Sequence, residues 1–304
     1  MLDLATLAAL HEKYRDDASL PVADFALGAH RFDFQKRTHL MGVINLSPDS
    51  WYRESVALNA EAAIRRGRML HEQGASIIDI GAESSLSHAA QVGGDAQKSL
   101  LVPVVRELAE AGLCVSVETY HPSVTTACLK AGARVLNLTG TTDNEQIFRE
   151  VADFDAGVII CFVQGSNVRE VGELDLGHDP VEVLYEFFTR QIEAATTAGV
   201  SRIWIDPGLG FYYRNLRDGN ARIRHQMHVF LNSFRLRRLG WPLCQALPHA
   251  FECFEEEVRV AEPFFAVLAL LGQANLLRTH EVAKVRGVLR AMEVTRNAGD
   301  MIPQ

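Results

Sequence analysis

The chain has 304 residues, 48% of them hydrophobic, and a formal net charge of −8. That charge argues against a nucleic-acid binder working by general phosphate attraction, and no apolar run approaches the roughly 18 residues of a membrane span. The five cysteines form no C-x-x-C pair and sit mostly in apolar segments. With no signal-peptide core at the N-terminus, they point to reduced, buried thiols in a cytoplasmic protein.

Residues 1–36 precede the first repeating unit. They predict a helix from Leu4 to Tyr14 and then, at "FALGAHRFDF", a small hairpin that would close the bottom of a barrel. The first strand follows in "HLMGVINLSPDSW", where an apolar run ends in Asn45 and a polar Ser47-Pro48-Asp49-Ser50 loop. From there one pattern recurs: an amphipathic helix closes on Gly, and an apolar strand follows within a few residues. The glycines are Gly74, Gly112, Gly132, Gly157, Gly199, Gly240 and Gly272, each suited to the left-handed position past a helix end.

The helices show the 3.6-residue period. Leu101, Val104, Val105 and Leu108 share a face, as do Val124, Ala127, Cys128 and Ala131. Asp179-Pro180 signals the start of a long helix through Ala195. The strands are short and almost continuously apolar, as expected in a parallel sheet covered on both faces. Eight units give a (β/α)8 TIM barrel over residues 37–297, an α/β fold with a short N-terminal extension and a tail at 298–304. A doubly wound sheet is the alternative.

In such a barrel the site lies at the C-terminal ends of the strands. Those ends carry Asn45, Asp79 with Glu83, Glu118, Asn137, Gln164, Asp206, and Arg278 with His280. Strand ends meet water, so some polar residues there need no functional reason. Asp79 and Asn137 lie inside apolar runs, however, where an unpaired polar group costs about 1–3 kcal/mol. Converging acceptors of this kind suit a planar ligand rich in N–H groups, and Arg278 with His280 could clamp an anion. Gly208 and Gly210 allow a tight turn that leaves Asp206 facing inward and Phe211 over the pocket. His225 and His228, with no acidic ligand nearby, read as surface helix residues.

These blocks resemble the dihydropteroate synthase family of pterin-binding proteins. "MGVINLSPDSW" resembles its first-strand signature and "IIDIGAES" its second, while "VETYHP", "VLNLTG", "IDPGLGF" and "LLRTHEV" follow in family order, covering Phe25 to Val294. The resemblance implies a (β/α)8 barrel that joins a dihydropterin-methyl diphosphate to p-aminobenzoate or a modified arylamine and releases diphosphate. It implies that Asn45 holds the diphosphate with Mg²⁺ and that Arg278 and His280 grip it from the opposite rim. Asp206 and Asn137 would read the pterin edge with Asp79, Glu118 would stand where the family has Asp, and Phe211 would line the arylamine side. Family dimers pair through late helices, and the apolar run Phe264 to Gly272 is consistent with a homodimer.

Three departures fall on the amine side. Glu83-Ser84-Ser85-Leu86-Ser87 replaces Glu-Ser-Thr-Arg-Pro, so the hydroxyl persists as Ser85 but the loop arginine is lost. Pro248, His249 and Ala250 replace Ser-Arg-Lys, leaving His249 to take over part of the lysine's hydrogen bonding. Glu118 is one methylene longer than Asp. Arg214 and Arg217 are candidates to replace the loop arginine, though a solvated loop explains them as well. The rivals are a non-catalytic pterin-binding paralogue, a pterin-dependent methyltransferase, and a barrel with an unrelated substrate.

Overall fold

The computed structural model describes residues 2–47, 56–57, 59–84, 89, 91–175, 177–211 and 213–297. At the N-terminus, Asp3 accepts from the Thr6 amide and so caps helix α1 (Leu4–Lys13). A short α2 (Arg15–Ser19) follows, then the antiparallel pair β1 (Phe25–Leu27) and β2 (His30–Phe32), turning through Gly28 at φ 57°.

The next eight strands are parallel. They are β3 (His39–Asn45), β4 (Ile77–Gly81), β5 (Val115–Thr119), β6 (Val135–Leu138), β7 (Gly157–Cys161), β8 (Ile203–Asp206), β9 (Cys244–Ala246) and β10 (Leu276–Thr279). Ladders join β8-β7-β6-β5-β4-β3-β10-β9 in that order. Among the described residues the last junction, β8 to β9, is a single parallel bridge between Ile205 and Leu243, with the Ile205 amide donating to Pro242 O at 3.1 Å. The chain is a nearly closed (β/α)8 barrel, as the repeat predicts.

Helices α3 (Ala60–Glu72), α4 (Gly94–Glu110), α5 (Pro122–Lys130), α6 (Asn144–Asp153), α7 (Pro180–Thr197), α8 (Gly219–Asn232), the short α9 (Phe251–Phe254), α10 (Ala261–Leu271) and α11 (Val282–Asn297) form the outer layer. Alternation along each strand separates two cores. Outward side chains such as Ile44, Ile80, Val117 and Leu136 meet the helices. Inward ones such as Met41, Ile77, Val135 and Ile159 fill the barrel interior, with Trp204 below them. Full burial of each large apolar side chain contributes roughly 1.5–3 kcal/mol. The hairpin lies across the lower end. Phe25 and Phe32 meet the Trp204 ring edge-on, with centroids 4.6 and 5.2 Å away.

Leu101, Val104, Val105 and Leu108 are all buried, whereas on α5 the buried face is Val124, Thr125, Cys128 and Leu129, with Ala127 and Ala131 only half-buried. The Asp179 carboxylate caps α7, which runs two residues beyond the predicted Ala195. Gly74, Gly112, Gly132, Gly199 and Gly240 have positive φ. Gly157 and Gly272 do not; there the left-handed residues are Asp155 and Gln273. Gly272 is a glycine for space, because a Cβ on it would stand 1.9 Å from Phe230 O. Among the described residues no helix is long and apolar enough to cross a membrane, and all five cysteines are free, with Cys253 exposed and the others buried.

Candidate active site

The upper half of the barrel interior turns polar. Each parallel register sets one strand-end side chain beside the next: Asp79 opposite Ser116, Glu118 opposite Asn137, Cys161 opposite Asp206, and Arg278 opposite Ala246. Glu118, Asn137, Cys161, Asp206, Ala246 and Arg278 form the floor of a cavity whose rim carries Asn45, Glu83, Ser84, Phe211, His249 and His280, and Asp79 and Ser116 are fully buried beneath that floor.

The floor is organised around Asp79, which is completely buried. Its Oδ1 accepts from the Ser116 hydroxyl at 2.7 Å, and its Oδ2 accepts from Asn137 Nδ2 at 3.1 Å and Arg278 Nε at 2.8 Å. Arg278 Nη2 reaches Glu118 Oε2 at 2.5 Å, and Asn137 Oδ1 accepts from the Cys161 thiol at 3.2 Å. Asp206 accepts from the Gly208 amide at 2.8 Å. Gly208 has φ 71°, and a Cβ on it would lie 2.3 Å from Phe162 O, so the turn below Phe211 needs glycine.

Three carboxylates therefore surround one guanidinium. Burial raises the pKa of Glu118 to about 7, reinforced by Asp79, Asp206 and Glu83 and opposed by Arg278. Burial likewise lifts Asp206 to about 6, against the Gly208 hydrogen bond and Arg278. For Arg278, burial opposes the charge, but Glu118 and Asp79 outweigh it and hold the guanidinium firmly protonated. The result is a low-dielectric, acceptor-rich floor that suits a ligand edge presenting several N–H donors or developing positive charge.

On the rim, His280 Nδ1 lies 2.8 Å from Oε1 of Glu262, a fully buried residue of α10. The same carboxylate accepts from the His280 amide at 3.0 Å and the Glu281 amide at 3.2 Å, and from the Thr279 hydroxyl. The His249 ring sits 5.7 Å from the His280 ring. Burial first, then His280 and Arg278, push the His249 pKa well below the ordinary value, so its ring is neutral.

The Pterin binding enzyme family model matches residues 41–245, which spans the polar strand ends from Asn45 to Asp206. A dihydropteroate synthase of Synechocystis is 30% identical over 71% of this chain and 73% of its own length. This chain belongs to the dihydropteroate synthase family of pterin-binding enzymes. The folate synthesis bifunctional protein of Arabidopsis thaliana is 32% identical over 61% of this chain, and the match spans only 40% of that longer protein. Among solved structures, the Xanthomonas albilineans dihydropteroate synthase with 4-aminobenzoic acid superposes with a TM-score of 0.73 at 26% identity, covering 91% of this chain and 99% of that one. The same enzyme in complex with 7,8-dihydropteroate gives 0.73 at 25% identity, over 90% and 99%.

Within this family's barrel, the expected residues Asn45, Glu118, Asn137, Asp206, Phe211, His249, Arg278 and His280 line one mouth. Asp79, expected among the substrate contacts, lies beneath it, fully buried, and meets the site only through Asn137 and Arg278. Ser85 and Leu86 lie outside the described residues, as do Pro48-Asp49-Ser50. Arg278 and His280 do not form a matched pair: the first is held by Asp79 and Glu118 in the floor, the second by Glu262 on the rim. Gln164 leaves the group, because its amide donates to Asp175 O at 2.9 Å and accepts from Asp175 N at 2.6 Å, tying the loop after β7. Arg214 and Arg217 are exposed, in line with a solvated loop. His225 is half-buried rather than on the surface, and burial lowers its pKa to about 4.

Sequence reasoning missed Ser116, Cys161, Tyr120, Arg169 and Glu262. Ser116 and Cys161 carried a usable signal, since each lies at the inward phase of its strand. Glu262 carried a fainter one, an acid at the head of an apolar helix. Tyr120 and Arg169 carried none, because their partners are set by loop geometry.

Proposed function

We propose that this protein joins a (7,8-dihydropterin-6-yl)methyl diphosphate to an arylamine, p-aminobenzoate or a modified one, with release of diphosphate. The observation that carries this reading is the acceptor floor of Glu118, Asn137 and Asp206, gathered around Arg278 and held from beneath by Asp79, in a dihydropteroate synthase barrel. In this reading the floor takes the amino edge of the pterin and favours positive charge on the ring as the C–O bond to diphosphate breaks. The amine nitrogen then forms the new C–N bond to the methylene and gives up a proton to solvent. Asn45, His280 and Arg278 hold the leaving group, while Phe211 and His249 flank the amine. Positioning and charge neutralisation supply the catalysis, without a covalent nucleophile.

Magnesium fits this donor set in a limited way. Among the described residues no group of three His, Cys, Asp or Glu could hold a metal. Mg²⁺, however, binds through one or two protein oxygens together with substrate phosphates and water. Asn45 Oδ1 at the rim would be the protein ligand, and the ion would neutralise the departing diphosphate. Free buried thiols suit the cytoplasm. The α9–α10 surface, with Phe251, Phe264 and Leu271 exposed at 38%, 41% and 45%, suits a homodimer.

Calorimetry with the pterin diphosphate and Mg²⁺, followed by a diphosphate-release assay with p-aminobenzoate and bulkier arylamines, tests the function. Binding with turnover is expected. Binding without turnover of any amine would favour a non-catalytic paralogue, which Leu86 and Ala250 in place of Arg and Lys make the specific rival. Absence of binding to the diphosphate would rule out the synthase. A methyltransferase would take the diphosphate-free pterin as readily.

A further inference from the structure

The loop after β7 folds back on itself as a small arm. Gly165 bridges to Val171, Asn167 bridges to Gly140 in the loop after β6, and the Thr141 hydroxyl donates to Gly165 O at 2.6 Å. A Cβ on Gly165 would lie 2.3 Å from Glu170 O, and one on Gly140 would lie 2.7 Å from Tyr120 Cβ, so the close stacking depends on both glycines. At the tip of this arm stands Arg169, whose side chain is 5% exposed. It reaches across the barrel mouth: Nη1 donates to Ser84 O and Nη2 to Ala89 O, both at 2.6 Å, and Nε lies 3.8 Å from Glu83 Oε1. The other Glu83 oxygen accepts from the Tyr120 hydroxyl at 2.7 Å, and Oε1 also accepts from the Val92 amide at 3.0 Å.

Glu83 and Ser84 line the same cavity as Asn45, Arg278 and His280. A carboxylate on that wall is a liability if both substrates arrive as anions. Its charge is only tolerable when it is neutralised and its oxygens are turned into the protein.

We propose that Arg169 is a positioning residue that makes the Glu83 wall compatible with anionic substrates, by pairing with the Glu83 carboxylate and fixing the backbone at Ser84 and Ala89. The inference rests on the reading that diphosphate and a benzoate meet at this mouth. Arg169 touches neither substrate; it acts through Glu83.

The test compares the full-length wild type with Arg169→Met, Arg169→Lys and the double variant Arg169→Met/Glu83→Gln, using p-aminobenzoate and the uncharged p-aminobenzamide as amines. Arg169→Met should raise KM for p-aminobenzoate about tenfold, equivalent to about 1.4 kcal/mol, with KM for the amide nearly unchanged. The double variant should recover most of the loss, because removing the carboxylate charge removes the need for the arginine. Arg169→Lys, which keeps the charge, should stay nearer the wild type. A KM rise equal for both amines, or no recovery in the double variant, would mean a merely structural role and overturn the proposal. If Arg169→Met does not fold, the Arg169→Lys ratio of the two KM values decides, and a loss shared equally by both amines rejects it. A wild type that binds no diphosphate and turns over neither amine would overturn the synthase reading itself, and the inference with it.

Discussion

Glu118 holds its proton to about pH 7, against an ordinary value of 4.5, because it is buried among like charges with one guanidinium to share. A carboxylate with a raised folded pKa contributes stability that is fully present below the unfolded value and is lost as pH rises through the folded one. Glu118→Gln removes this dependence, so the melting temperature of the variant minus that of the wild type should be more positive at pH 8 than at pH 5.5. A difference independent of pH would contradict the burial of that charge. Arg278→Ala leaves Asp79 and Glu118 without their counter-charge, and the expected cost is about 3–5 kcal/mol by denaturant titration. The same variant should weaken a diphosphate-bearing pterin more than a diphosphate-free one, and equal losses would refute the anchoring role. At this scale legibility followed local contrast. Asp79 and Asn137 stood out because a polar group inside an apolar strand needs a reason. Arg169 stood out from nothing, since it lies in a polar loop and its partners at Ser84 and Ala89 are more than 79 residues away along the chain.

Among the elements, the helix-glycine-strand repeat was readable because each helix must stop and each strand must be apolar on both faces. Its meaning was not uniform. Gly240 has φ 79° with open surroundings, so Gly240→Ala should cost about 1 kcal/mol of backbone strain. Gly272 has ordinary φ but faces Phe230 O at contact, so Gly272→Ala should cost about 3 kcal/mol through displacement of α8 from α10. Urea titrations of the two variants check the contrast, and similar losses would defeat it. Sequence alone cannot separate these two uses of glycine, because one depends on φ and the other on a neighbour distant in the chain.

For the molecule as a whole, the number of βα units fixed the architecture, while the roles of the two barrel ends had to come from packing. The lower end is an aromatic plug built by Phe25, Phe32 and Trp204. Phe32→Ala should lower stability by about 3–5 kcal/mol and alter Trp204 fluorescence, yet leave KM for both substrates unchanged. A large KM change would mean that the aromatic plug communicates with the mouth. The seam between β8 and β9 has the opposite character. Among the described residues seven junctions of the ring are ladders, and the backbone of this one is joined by a single bridge at Ile205 and Leu243, with a side-chain hydrogen bond between Asp206 and Cys244 beside it. Directly above it, Asp206, Gly208 and Phe211 face Ala246, Leu247 and His249 across the opening. A ligand bound between those two groups would span the seam, and solvent exchange at the Ile205 amide, one residue before Asp206 and bonded across the seam to Pro242 O, should then slow with occupancy. An exchange rate that does not change on binding would show that the backbone on either side of the opening is indifferent to its occupant.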